Sequence, residues 1–197
     1  MKPALSRTRH RTSATFAAIL LILGALFAAP PAATADPFGG GPPTMGYRAD
    51  NAGQDYCTVV AWPTSWGWPF VDAMSNLDSQ TDMYDTYAAS CGSQTDIRGA
   101  RSSSAGMGST VRGSYQCTKF VTSGSVCDQG TILVNVDLLT DYQQRRKTFC
   151  HEIGHSVGLQ HNSDQSYKDC MISGSVSNLA MWTVYESHHI SHINSAY

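Results

Sequence analysis

The chain has 197 residues, of which 13 are basic and 15 acidic, giving a formal net charge of −2. A chain of this length can bury one hydrophobic core. The absence of a basic excess argues against nucleic acid or an anionic membrane as a partner, because both reward a basic face.

The first 35 residues have the pattern of an export signal. Four basic residues precede an apolar run over residues 14–29, and Ala33-Thr34-Ala35 supplies the small-x-small pattern at which signal peptidase cuts. The run is too short and too rich in alanine for a membrane span, which needs about 20 apolar residues. We therefore predict a signal peptide over residues 1–35 and secretion of the rest. Because the leader holds four basic residues and no acidic one, its removal leaves nine basic and 15 acidic residues, a net charge near −6.

Residues 36–46 are rich in proline and glycine, which predicts a linker, and a single domain is then expected over residues 47–197. The segment YCTVVAWP, residues 56–63, predicts a strand that ends at the proline. Apolar residues at helical spacing predict a helix over residues 69–77. The glycine- and serine-rich composition of residues 96–110 predicts a surface loop.

The second half of the domain has clearer periodicity. The alternation in TILVNV, residues 131–136, predicts a strand. Phe149, Ile153 and Val157 recur every four residues and predict a helix over residues 141–157, which Gly158 would end. A short helix is expected near the C-terminus with Ile190 and Ile193 facing inward, and the three tryptophans at 62, 66 and 68 are expected in the core rather than in a substrate cleft.

The helix predicted over residues 141–157 contains a metal-binding pattern. Positions i and i+4 of a helix project from one face, so His151 and His155 can bind one ion together. Glu152 lies roughly 100° around the helix, where it can face the open side of the ion as a general base. Gly158 and His161 follow at spacings of three residues, and a sharp turn at the glycine would return His161 to the ion as third ligand. Three protein ligands and one open position are typical of catalytic zinc. Asp164 is a rival third ligand.

The extended run HEIGHSVGLQH resembles the metzincin clan of zinc endopeptidases, and the closing ESHHISHINSAY resembles the final helix of the matrixin branch, as found in secreted bacterial enzymes. The resemblance covers residues 131–197, and upstream it rests on a helix followed by TDIRG, residues 95–99, as a strand. It implies an α+β zincin fold with a mixed twisted sheet, a long active-site helix and a small C-terminal subdomain. It also implies that Met171 lies in a tight turn beneath the metal.

The sequence departs from the family pattern at three places. His188 and His189 stand where matrixins usually carry two adjacent aspartates, so the salt bridges expected there lack their acids. We expect these two histidines and His192 to form a polar helix face. Ser173 stands where other branches carry a tyrosine as fifth ligand, and the matrixin cysteine switch is missing.

All six cysteines follow the predicted signal peptide, and an even number in an exported chain indicates disulfides. Cys150 is rotated about 100° from His151, away from Glu152, and cannot share an ion with the helix histidines. If Met171 lies beneath the metal next to the helix, Cys170 comes close to Cys150, and we predict that bridge. Proximity in sequence pairs Cys117 with Cys127, which leaves Cys57 with Cys91.

The sequence thus predicts a secreted, monomeric zinc endopeptidase that acts on proteins or peptides, with Glu152 as general base. We expect it to bind one zinc ion. Related enzymes also bind structural calcium, but no loop pattern in this sequence supports such a site. The alternatives are a catalytically silent, zinc-stabilised binding or inhibitory protein, and a metallohydrolase acting on a non-peptide bond.

Overall fold

The computed structural model describes residues 47–121, 124, 126–162, 168–177 and 180–197. The predicted signal peptide and linker lie outside these residues. Within the described ranges, no helix is both long enough and apolar enough to span a membrane.

Six strands of the described chain form one mixed sheet. They are β1 Arg48–Ala49, β2 Gly53–Thr58, β3 Tyr84–Tyr87, β4 Ile97–Ser102, β5 Gly113–Phe120 and β6 Val126–Asn135. Strands β6, β4, β2 and β3 lie side by side and parallel, and β1 is parallel to the first residues of β6. Strand β5 is antiparallel to β6. Among the described residues β5 pairs with β6 alone, so its other edge is open.

The helices are α1 Thr64–Gln80, α2 Ser104–Met107, α3 Tyr142–Ser156 and α4 Ser187–Ala196, with a 3₁₀ turn at Ala180–Trp182. Helices α1 and α3 pack together in the core, where the ring centroids of Phe70 and Phe149 are 4.9 Å apart. Ile132 and Val134 of β6 are fully buried in the same core. This mixed arrangement of a mainly parallel sheet and helices is compatible with a zincin-like fold.

The prediction for α3 is confirmed. Asp141 caps the helix, because its Oδ1 accepts a hydrogen bond from the backbone N–H of Gln144 at 3.0 Å. Phe149, Ile153 and Val157 form the predicted buried stripe and are each 0% exposed. Gly158 has φ of +102°, a conformation that favours glycine and ends the helix.

Helix α1 begins at Thr64, before the predicted start at Pro69. Proline lacks an N–H, so the carbonyl of Ser65, four residues earlier, loses its helical donor. The guanidinium of Arg145 on α3 donates to this oxygen at 2.8 Å. The helix therefore continues through Pro69, because a residue distant in sequence supplies the missing hydrogen bond.

The prediction of a surface loop over residues 96–110 is wrong for most of that range, which holds β4 and α2. Strand β4 lies between β2 and β6 and pairs with both. A Cβ atom on Gly99 would lie 2.8 Å from Trp62 and 2.9 Å from Phe70. The glycine thus permits close packing against a strand. The strand agrees with the one that the family resemblance implies for TDIRG.

Two further predictions are only partly correct. The strand predicted over residues 56–63 ends at Thr58, and the next two residues, Val59 and Val60, are exposed. Trp66 is buried and Trp62 packs on Phe70 and Phe149, but Trp68 is 60% exposed. In α4, Ile193 is fully buried as expected and Ile190 is half-buried.

Candidate metal centre

The first two predicted ligands lie one turn apart on α3, and both are buried. The Nδ1 atom of His151 is 2.8 Å from the carbonyl oxygen of Cys170, and that of His155 is 2.8 Å from the carbonyl oxygen of Leu159. Because a carbonyl only accepts hydrogen bonds, each Nδ1 carries the proton and each Nε2 presents a lone pair. These backbone contacts orient both rings as ligands.

The turn at Gly158 brings His161 to the same place. The ring centroid of His161 lies 4.9 Å from that of His151 and 4.9 Å from that of His155. One ligand atom from each of the three residues lies within 4.8 Å of the other two. Unlike the helix pair, His161 is exposed to solvent.

The electrostatics of these three rings favour their neutral forms. Burial and the neighbouring His155 lower the pKa of His151 well below its ordinary value. Burial also lowers the pKa of His155 to about 4 and brings the pKa of His161 below its usual value. Neutral imidazole is the form that binds a metal ion.

The three rings fit a zinc ion. The Nε2 atoms of His151 and His155 are 3.2 Å apart, and each faces the other as an acceptor because both Nδ1 protons are held by carbonyls. Two lone pairs at that distance are stable only with a cation between them, and burial disfavours a proton there. The residues can therefore hold a metal ion, and three imidazole nitrogens suit zinc.

Glu152 stands next to this group and faces strand β5. Its side chain is 5% exposed. Burial raises its pKa to about 8, against the opposing effects of the Lys147 charge and of a hydrogen bond from the Tyr115 backbone N–H. A Cβ atom on Gly113 would lie 2.6 Å from Glu152 Oε1 and 2.6 Å from Thr148 Cγ2. The glycine in β5 thus makes room for the carboxylate.

A cleft of about 620 Å³ lies along α3, between β5 and the segment that follows Met171. Its described lining residues come from α3, from β5 and the residues just before it, from the segment after Met171, and from the end of the turn after α3. They are Thr110, Val111, Arg112, Gly113, Ser114, Tyr115, Gln116, Lys147, Thr148, His151, Glu152, His155, His161, Ser173, Gly174 and Ser175. The three histidines and Glu152 are therefore accessible from one open groove.

Met171 packs against helix α3. It is fully buried, and a Cβ atom on Gly154 of α3 would lie 2.3 Å from its Sδ atom. The absence of a side chain at Gly154 thus lets the methionine pack directly against the helix that carries His151 and His155. Asp164, the rival third ligand, lies outside the described residues.

The three disulfides have the predicted pairing. Cys150 is joined to Cys170, Cys117 to Cys127 and Cys57 to Cys91. The first bridge links α3 to the residue before Met171, and the Cys170 carbonyl is also the partner of His151 Nδ1. The bridge therefore fixes the group that orients the first ligand. Three disulfides are consistent with an extracellular protein.

Asp169 is a site residue that the sequence reading missed. It is 0% exposed and accepts hydrogen bonds from the Met171 backbone N–H at 2.5 Å and from Asn162 Nδ2 at 2.9 Å. Its Oδ2 also lies 3.0 Å from Nδ1 of His189, which is fully buried too. Burial alone would raise the pKa of Asp169, but the contacts with His189 and Asn162 hold it below its usual value.

The expectation of a polar helix face over the α4 histidines is therefore wrong for His189, whose ring is buried against a carboxylate. A carboxylate does pair with α4, but it is Asp169, just before Met171, and its partner on α4 is His189. The signal in the sequence was Asp169 itself, directly before the cysteine and methionine of the turn. The described residues also bring Glu186, His188 and His189 together, but Glu186 caps α4 and contacts His188.

No protein-family model and no curated protein matches the sequence. Among solved structures, the chain is similar to high choriolytic enzyme 1, a hatching enzyme zinc-protease from the medaka fish Oryzias latipes, at 14% identity and a TM-score of 0.35. The match covers 62% of this chain and 50% of that one. The chain thus spans half the length of that protein, and a likeness this weak supports no conclusion about activity.

Proposed function

We propose that the chain is a secreted zinc-dependent endopeptidase that acts as a monomer on protein or peptide substrates. The observation that carries the proposal is the geometry of the helix pair. Two buried imidazoles, each with its Nδ1 proton held by a carbonyl, present Nε2 lone pairs 3.2 Å apart beside a buried glutamate. A purely structural site has no need of that glutamate.

In the proposed mechanism His151, His155 and His161 hold the zinc ion. When bound, zinc supplies a Lewis acid and a water of lowered pKa. Burial raises the pKa of Glu152 to about 8 in the chain without metal, and a cation bound beside it would lower that pKa. The ionised Glu152 accepts a proton from the attacking water and passes it to the amine that leaves. The Tyr115 backbone N–H, which donates to Glu152, holds the carboxylate in place for both transfers.

The open edge of β5 gives a substrate a place to bind. Ser114 and Gln116 lie on this strand and line the cleft, and among the described residues only β6 pairs with the strand. An extended peptide can add to such an edge through backbone hydrogen bonds. The scissile bond would then lie between β5 and the face of α3 that carries the histidines.

The test uses the chain without residues 1–46, purified with its disulfides intact. We expect it to cleave casein and a broad peptide library, to lose this activity to a chelator and to regain it with added zinc. The matched variant is Glu152→Gln, which keeps shape and metal but removes the base. We expect it to bind zinc stoichiometrically and to lose at least about a hundredfold in kcat/KM.

A wild-type chain that binds zinc stoichiometrically yet is as inert as Glu152→Gln would contradict the proposal. That result would favour the silent binding protein. Hydrolysis of ester or amide probes without peptide cleavage would favour a metallohydrolase of another class.

A further inference from the structure

The cleft has a basic end. Arg112 and Lys147 both line it, and Glu152 is the single acidic residue among its described lining residues. The chain as a whole carries more acidic than basic residues. Positive charge is therefore concentrated in the groove, and a groove between low-dielectric walls focuses that field on a bound ligand.

Lys147 is held at this end by two backbone carbonyls. It lies one turn before His151 on α3 and is 4% exposed. Its Nζ donates to the carbonyl oxygen of Ile172 and, at 3.4 Å, to that of Gly174. An ammonium has three donors, so one is left after these two hydrogen bonds, and Lys147 lines the cleft. Burial lowers the pKa of Lys147 to about 8, which leaves the amine mostly protonated at neutral pH.

The position of Glu152 indicates which side of the scissile bond lies near Lys147. Helical side chains lean toward the N-terminus of their helix, and the Glu152 carboxylate lies near Thr148, one turn earlier. The carboxylate therefore lies toward the Lys147 end of the cleft, and the charge of Lys147 acts on it. Because Glu152 gives its proton to the leaving amine, the residue that contributes this amine must lie at the same end.

We propose that the substrate side chain directly after the scissile bond enters the cleft beside Lys147, and that the lysine selects aspartate or glutamate at this position. The inference rests on the proposed peptidase function and names its substrate class. Ser173 and Ser175 line the same cleft on either side of Gly174, and a serine hydroxyl is a further donor to a carboxylate. A charge-assisted hydrogen bond in a buried site is stronger than a neutral one.

The experiment compares peptides that differ only at the residue after the scissile bond: aspartate, asparagine, leucine and lysine. For the wild-type chain we expect kcat/KM for aspartate to exceed that for the isosteric asparagine by about tenfold, with lysine the poorest. In Lys147→Met, which keeps the length and loses the charge, we expect kcat/KM for aspartate peptides to fall to about that for asparagine peptides. The lost charge also acts on Glu152, so the four peptides are compared as ratios of kcat/KM within each variant. Lys147→Arg should retain the preference.

A control separates selectivity from loss of structure, since Lys147 also binds the carbonyls of Ile172 and Gly174. Arg48→Met removes an exposed positive charge from β1, outside the cleft lining, and should leave all four rates unchanged. If Lys147→Met lowers every rate by the same factor, its role is structural and the inference is wrong. Equal cleavage of aspartate and asparagine peptides by the wild type also overturns it. A chain that binds zinc and cleaves no peptide instead refutes the peptidase function itself.

Discussion

His151 and His155 stand on a regular helix, whereas His161 follows it on a segment without regular structure. The helix pair is buried and each ring is fixed by a carbonyl. His161 is exposed, and its neighbour Asn162 is tied to Asp169, which also binds the Met171 backbone and His189. Two ligands thus depend on local helix geometry, and the third depends on contacts between distant parts of the chain.

This contrast indicates different roles for the two kinds of ligand, with zinc affinity depending mainly on the buried helix pair and access from solvent depending on His161. We call this difference the division between the ligands. Preorganised, desolvated ligands lose little freedom when they bind a metal, so the helix pair should supply most of the affinity. An exposed third ligand on a turn would complete the ligand set from the solvent side. The predictions below test this division, in order of decreasing effect on zinc binding.

The largest effect is expected from removing a ligand. A structural zinc site contributes about 10–16 kcal/mol, so each ligand contributes roughly 3 kcal/mol, which is at least a hundredfold in affinity. We expect His155→Ala to lose this much or more, and His161→Ala to lose less, because water can replace the exposed ring. Competition with a chromophoric chelator measures both values, and His192→Ala on α4 is the control. Equal losses for the two site variants would contradict the division.

The second prediction concerns the support of the third ligand. Asp169→Asn keeps the side-chain shape but removes the charge that pairs with His189. Loss of a group that orients ligands costs about tenfold to a hundredfold in metal affinity, and we expect a value in that range. Asp82→Asn, an exposed carboxylate, should change nothing. An Asp169 variant with wild-type zinc affinity would show that the segment carrying His161 does not depend on this contact.

The same contrast explains how much could be read from the sequence. The α3 stripe, the motif on it and the stop at Gly158 depend on contacts a few residues apart, which periodicity and glycine chemistry reveal. The Cys150–Cys170 pair followed once Met171 was assigned to the turn, and proximity in sequence gave the other two pairs.

Other features depend on residues far apart in the chain and could not be predicted from periodicity or composition. In the early part of α1, Arg145 binds the Ser65 carbonyl. Strand β4, which only the family resemblance predicted, pairs with a neighbour on each side. His189 is buried against Asp169, and Lys147 binds the carbonyl of Ile172, 25 residues later in the chain. Composition alone does not report such contacts.

The third prediction separates stability from zinc binding. In the loop-entropy description, losing Cys150–Cys170 (20 residues apart) costs about 3 kcal/mol in the free energy of unfolding, and losing Cys57–Cys91 (34 residues apart) costs about 4 kcal/mol. We expect the paired serine variants to show these losses in urea unfolding. Of the two losses, only that of Cys150–Cys170 should also weaken zinc binding, because the Cys170 carbonyl contacts the ligand His151. We expect this effect to be smaller than that of Asp169→Asn. Weaker zinc binding without Cys57–Cys91 would contradict this.

The last prediction needs no metal. In the metal-free chain we expect His155 to take up a proton only near pH 4, and the more exposed His161 to do so at a higher pH. The unfolded chain binds these protons near pH 6.5, so it holds more protons than the folded chain between about 4 and 6.5. The contribution of His155 to the free energy of unfolding therefore falls as the pH is lowered through this window.

Imidazole NMR signals give the two titrations, and His155→Gln should flatten the acid side of the stability profile more than His161→Gln. If the two rings titrate together near pH 6.5, the buried and exposed ligands do not differ in their pKa values, and the division between the ligands is wrong.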